Sequence, residues 1–163
     1  MNQGLTFERI FNAPLEKAWQ TWTEPELMKK WWGPRSWYSD SITTDFTVEG
    51  KYLMNMKGKM APDMPEMETW SGGQFKEIIP MKKIVLVDHF ADSKGNIVHA
   101  SKFGLPESFP MESTVEITFE DLGNNQTKLT VHYESSAGIE GKMLENMNMG
   151  WNQTLDKFGE TLN

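Results

Sequence analysis

The sequence predicts an α+β domain in which two short N-terminal helices precede a run of antiparallel strands and one long C-terminal helix. Three observations carry this. Between residues 36 and 134 the apolar residues mostly alternate, in short segments separated by turn sequences such as Asp92-Ser93-Lys94-Gly95 and Gly123-Asn124-Asn125-Gln126. Strands in unbroken succession joined by short turns imply an antiparallel meander. From Ile139 the period changes, and Ile139, Met143, Met147, Trp151, Leu155, Phe158 and Leu162 fall on one side of a long helix. With 163 residues the chain fits a single domain, 1–163.

In chain order, 6–11 (TFERIF) alternates as a half-buried strand, with Phe7, Arg9 and Phe11 opposite Glu8 and Ile10. Asn12 and Pro14 mark a helix start, asparagine as a cap and proline as a residue without an N–H to satisfy. Leu15, Ala18, Trp19 and Trp22 then form one apolar stripe. Thr23-Glu24-Pro25-Glu26 reads as a capping box for a second short helix, which buries Leu27, Met28 and Trp31 and stops at Gly33-Pro34. Strands are expected at 36–44, 51–57, 69–79, 83–90, 96–103, 113–120 and 127–134. The connections 58–68 and 104–111 are irregular and rich in proline and large apolar residues, and the first is expected to form either a flap at the rim of any pocket or an ordinary exposed loop. Gly150 and Gly159 interrupt the last helix, each at a cost of about 1 kcal/mol relative to alanine. They either let the helix approach the sheet or leave room for a ligand.

Composition excludes several function classes. Net charge is −7, with 23 acidic against 16 basic residues, and neither half of the chain is basic. Such a chain lacks a face that neutralises phosphates, so nucleic acid and stable membrane association are not expected. The absence of cysteine rules out disulfides and thiolate chemistry and fits a cytoplasmic setting. No secretory signal is legible in the first residues, and no apolar run approaches membrane-spanning length.

Catalytic motifs are equally sparse. His89, His99 and His132 lie far apart without metal-binding spacing, and no nucleophile elbow or phosphate-binding loop occurs. Glu77, Asp88 and Glu116 are the carboxylates whose strand positions could face inward. Gly72-Gly73 within a strand suggests a bulge or a close backbone approach. Twelve methionines and seven tryptophans are more telling. Alternation in 51–57 puts Tyr52, Met54 and Met56 on one face, and methionine-rich faces serve adaptable binding surfaces as well as ordinary cores.

Three stretches in order, FERIFNAPLEKAWQTWTEPELMKKWWGP, GGQFKEIIPMKKIVLV and GWNQTLDKFGETL, resemble the family related to the activator of heat-shock protein 90 ATPase. That family belongs to the START-like (SRPBCC, polyketide cyclase-like) superfamily. The resemblance covers essentially the whole chain and implies a helix-grip fold, in which a curved antiparallel sheet wraps around the C-terminal helix and encloses a cavity. It implies a small hydrophobic ligand, aromatic, polyketide- or lipid-like, bound without covalent chemistry. The expected ligand-binding residues are Trp32, Trp37, Tyr52, Met54, Met56, Trp70, Phe75, His89, Phe103, Met147 and Trp151, while Trp31 anchors the second helix to the core. No catalytic residue, metal ligand or cofactor is assigned. An enzyme acting on an aromatic or polyketide-like substrate is the alternative, with His89, Glu77 or Arg35 as acid–base or anchoring groups. A chaperone partner is the third reading, weakened because the sequence shows no counterpart of the activator's additional N-terminal domain.

Overall fold

A computed structural model describes residues 4–162, so residues 1–3 and 163 of the expected domain lie outside the described residues. The elements are β1 (Leu5–Phe11), α1 (Leu15–Thr23), α2 (Pro25–Met28), β2 (Trp37–Tyr38), β3 (Ile42–Thr44), β4 (Lys51–Gly58), β5 (Met67–Ile79), β6 (Lys83–Ala91), β7 (Ser113–Gly123), β8 (Gln126–Tyr133) and α3 (Lys142–Leu162). One antiparallel sheet runs in the order β1-β8-β7-β6-β5-β4-β2, with β3 also on β4. Its curled inner face holds α3 in the helix-grip arrangement.

Alternation and burial agree closely in the strands that cover the core. In β1, Phe7 and Phe11 are buried while Ile10 points to solvent. In β8, Leu129 and Val131 are completely buried and Tyr133 continues the same face. The C-terminal half of α3 closes this end of the molecule. Phe158, fully buried, meets Phe11, Trp22 and Trp31 edge-on at centroid distances of 5.1, 5.6 and 4.9 Å. Each such large side chain stabilises the fold by about 1.5–3 kcal/mol through burial alone. Gly159 is what permits the approach, since a Cβ there would sit 3.0 Å from the Phe11 ring.

Four local expectations are corrected. Pro14, not Asn12, stands at the N-cap of α1. The Asn12 side chain instead accepts a hydrogen bond from Gln126 at 2.9 Å and ties β1 to β8. The capping box at Thr23 does not form, because the Thr23 hydroxyl donates back to the Trp19 carbonyl at 2.8 Å and finishes α1. Glu24 takes the cap position of α2, with Pro25 at its first turn.

The strand expected at 36–44 is split into β2 and β3. Asn55, 1% exposed on the outer face of β4, accepts from the Ser39 hydroxyl and the Asp40 and Ser41 amides, each at 3.1 Å. Its amide donates to Asp40 and Glu68 at 2.7 and 2.9 Å. A side chain thus satisfies backbone groups that a ladder would otherwise pair. The strand expected at 96–103 is a single bridge, Ala91 to Ile97, followed by a 3-10 turn over Ala100–Phe103. The His99 ring caps that turn by accepting from the Ser101 amide, and Gly104, in the left-handed region at φ 86°, ends it.

Candidate functional site

The stretch KKWWGPRSWY builds one side of the site. Trp31 is fully buried and donates its indole N–H to the Thr21 carbonyl at 2.9 Å, which locks α2 onto α1. The chain then turns through Gly33, at φ 97°. Lys157 of α3 donates to the carbonyls of Gly33, Pro34 and Trp37 at 3.0, 3.4 and 3.1 Å. Burial pushes this ammonium below its ordinary pKa, and the three carbonyls replace its lost water. The turn is therefore clamped to α3 with Trp32 directed inward.

Between this turn, the inner face of the sheet and the N-terminal half of α3 lies a cavity of about 320 Å³. Of the expected ligand-binding residues, Trp32, Tyr52, Met54, Met56, His89, Met147 and Trp151 line it. Phe75 lines a smaller space of about 50 Å³ that also borders Tyr52 and Met54. Trp37, Trp70 and Phe103 line neither. Strand register explains Trp70: it pairs with Asn55 on the outer face, and its neighbour Ser71, opposite Met54, faces the cavity. Trp37 packs over Gly58 at the β2–β4 edge, where only glycine leaves room for the indole. Phe103 lies on the turn that replaced the expected strand and packs behind Phe90 at 5.3 Å.

The connection 58–68 is absent from the lining, while Leu105, Phe109 and Pro110 of the other irregular connection border the cavity. The expected flap is thus misplaced, and the rim belongs to 104–111. Gly150 borders the cavity too, and a Cβ there would make ordinary contact with Pro34 at 3.6 Å across it. The two helix glycines therefore differ: packing against Phe11 requires Gly159, whereas Gly150 borders the cavity at a place where a Cβ would make only ordinary contact.

Polar groups gather on one wall. Tyr52, buried on β4, donates its hydroxyl to Asp88 of β6 at 2.5 Å. Gly73 makes this reach possible, because a Cβ there would meet the Val87 carbonyl and the Tyr52 ring and hydroxyl. Burial raises the Asp88 carboxyl to about 6, against the opposing pull of the Tyr52 hydrogen bond and nearby His89. Burial likewise drives Tyr52 and Tyr133 well above the ordinary phenol value, so both stay neutral hydroxyls. Tyr133 accepts from the Trp151 indole at 3.1 Å and keeps its own proton to donate. Ser71 and Ser113 complete the wall. Glu77 is instead paired with Lys83 at 2.8 Å and Arg35 with Glu160, both outside the cavity.

Sequence reasoning missed Tyr133, Trp22 and Ser113 and left Asp88 unassigned. The signals existed: Leu129, Val131 and Tyr133 alternate inward, as do Leu86, Asp88 and Phe90. An acid at an inward position of an apolar strand marks a built polar site more sharply than any methionine does.

Comparisons with solved structures show the same fold. The solution structure of a protein from Arthrobacter aurescens aligns at a TM-score of 0.73 with 24% identity, over 98% of this chain and 85% of that one. A crystal structure from Chromobacterium violaceum gives 0.73 with 19% identity, over 98% and 97% of the respective chains. DynU16, from the dynemicin biosynthetic locus, gives 0.67 with 15% identity, over 99% of this chain and 48% of that one. No curated protein matches in sequence. Residues 12–163 match the sequence model described as activator of Hsp90 ATPase homolog 1-like protein, and the chain belongs to that family.

Proposed function

We propose that the protein binds a small, largely apolar ligand, aromatic, polyketide- or lipid-like, in the cavity between the sheet and α3, without covalent chemistry. The observation that carries this is the cavity of about 320 Å³, walled by tryptophan and methionine and provided with a few convergent polar groups on one side. Ligand sites have this form, and the volume falls at the lower end of their usual range, about 300–1,000 Å³. Methionines 54, 56, 143 and 147 give the wall adaptable surface. The acidic balance and lack of cysteine favour a cytoplasmic protein without a nucleic-acid or stable membrane partner. No helix among the described residues is long and apolar enough to cross a membrane. Native mass spectrometry of protein purified from its own host tests the reading. A bound small molecule, lost in Met54→Trp, is the expected result; an empty protein that also fails to take up apolar aromatic probes would sink it.

One observation favours an enzyme as the second reading. Asp88 is a cavity carboxyl with a pKa of about 6, close to what a general base at neutral pH requires. Chemical change of the co-purified molecule, abolished by Asp88→Asn, would establish it. A co-chaperone role has less behind it. It calls for a contiguous apolar patch, and among the described residues the exposed apolar side chains Ile10, Val48, Ile79, Ile97, Met111, Leu122 and Met149 lie on separate segments, with only Met60 and Met64 sharing a connection.

A further inference from the structure

We propose that the cavity selects a ligand carrying a protonated amine on an apolar body, with the Asp88 carboxylate as its anchor. This rests on the ligand-binding reading above and names the chemistry of the ligand's head. Asp88 is the one acidic residue among the described residues lining the cavity, and no lysine or arginine lines it. Its Oδ1 accepts from Tyr52, but Oδ2 takes no hydrogen bond among the described residues. A carboxylate in such surroundings is incompletely compensated, and a ligand N–H donor with a positive charge supplies what is missing.

The neighbouring aromatic rings point the same way. Tyr52, Trp32, Tyr133 and Trp151 bring aromatic rings around the same space, and ring faces attract cations. Negative potential from a net charge of −7 adds a long-range bias toward cationic ligands. A fatty acid or other carboxylate ligand would meet Asp88 with no lysine or arginine to receive it, so anionic lipids are the class this cavity rejects.

Three probes with one phenylbutyl body separate these cases: 4-phenylbutylamine, 4-phenylbutanol and 4-phenylbutyrate, titrated by calorimetry at pH 7.5. The amine should bind at least tenfold tighter than the alcohol, equivalent to 1.4 kcal/mol, and the carboxylate weakest. Asp88→Asn should reduce the amine to the alcohol's affinity and leave the alcohol unchanged, with melting temperature recorded to confirm folding. A second measurement needs no variant. As pH falls through about 6, wild-type affinity for the amine should drop while that for the alcohol holds, because Asp88 takes up its proton. The titratable groups facing Asp88 are Tyr52 from β4, Tyr133 from β8 and His89 beside it, and both tyrosines remain neutral throughout. His89→Gln should retain the drop, which assigns it to Asp88. Alcohol binding as tight as amine binding, in wild type and Asp88→Asn alike, overturns the proposal and leaves the cavity reading intact. Failure of all three probes to bind removes both.

Discussion

Replacing Asp88 with asparagine should stabilise the protein at alkaline pH but not at acid pH. In the unfolded chain an aspartate titrates near about 3.9, whereas burial raises Asp88 in the fold to about 6. Below about pH 4 the carboxyl is protonated in both states and the difference contributes nothing. Between about pH 4 and about pH 6 the folded protein holds a proton that the unfolded chain has released. Stability therefore falls as pH rises through that window, and the full penalty stands above it. The displacement from about 3.9 to about 6 amounts to about 3 kcal/mol. Asparagine keeps the shape and can accept the Tyr52 hydrogen bond, but it carries no charge to desolvate. The stability of Asp88→Asn relative to wild type should thus grow by about 3 kcal/mol from pH 4 to pH 8. In a domain of this size that is a melting-temperature difference of about 6–12 °C. Urea unfolding followed by tryptophan fluorescence at several pH values measures it, and subtraction cancels groups remote from Asp88. Repeating the series in a His89→Gln background removes the nearest coupled group. A difference that stays flat across the range would refute burial as the source of the shift.

Three further outcomes follow from the same geometry. Met54, 7% exposed and bordering both the larger and the smaller space, should tolerate Met54→Trp in the fold while losing an apolar aromatic probe by more than tenfold. A large drop in melting temperature with probe binding unchanged would instead mark it as close-packed core, where overpacking costs about 1–3 kcal/mol. Gly150→Ala should stabilise by up to about 1 kcal/mol through helix propensity, since its Cβ makes only ordinary contact, whereas Gly159→Ala presses on Phe11 at 3.0 Å and should destabilise; thermal melts of the two variants decide it. Amide exchange should slow at 105–110 when a ligand binds and stay unchanged at 59–66, because only the first of these segments borders the cavity; the reverse pattern would restore the flap.

Most of the architecture was legible because its signals are periodic. The stripe from Met143 to Leu162 and the alternation of β1, β4, β7 and β8 each follow directly from burial of one face. Three of the failures share one physical character: at each a polar side chain bonds a backbone group. Asn55 broke the strand expected at 36–44, the His99 ring turned 96–103 into a 3-10 turn, and Thr23 capped α1 backward. Such competition depends on a tertiary neighbour, which periodicity does not report. The site divided along the same line. Alternation put Tyr52, Met54 and Met56 on one wall, but which side of β5 faced inward required the pairing of Ser71 with Met54. Trp70 was misplaced for that reason.

The two ends of α3 show how one helix makes both a core and a cavity. Toward its C-terminus, Leu155, Phe158 and Leu162 are 1%, 0% and 4% exposed, and rings from α1, β1 and the turn after α2 fill the space against them. Toward its N-terminus the same stripe continues as Met147 and Trp151: Phe7, Trp22, Trp32 and Tyr133 pack on Trp151, while Met147 borders the cavity, whose lining includes the small residues Ser71 and Ser113. Small residues at these positions keep a void that larger ones would close. An unfilled cavity costs about 24 cal/mol per Å³ in a protein core, so about 320 Å³ left dry would rival the whole net stability of a domain. Solvent entering at the rim relieves much of that cost, and an apolar ligand that displaces this solvent recovers contacts the empty protein lacks. The wall is mixed in a way that suits such a guest. Tryptophans and the Tyr52–Asp88 pair supply fixed groups, while the methionines interspersed among them adapt to what remains. On this reading the head of the ligand is specified closely and its body loosely, so relatives of one compound should bind with affinities ordered by the head group rather than by the tail.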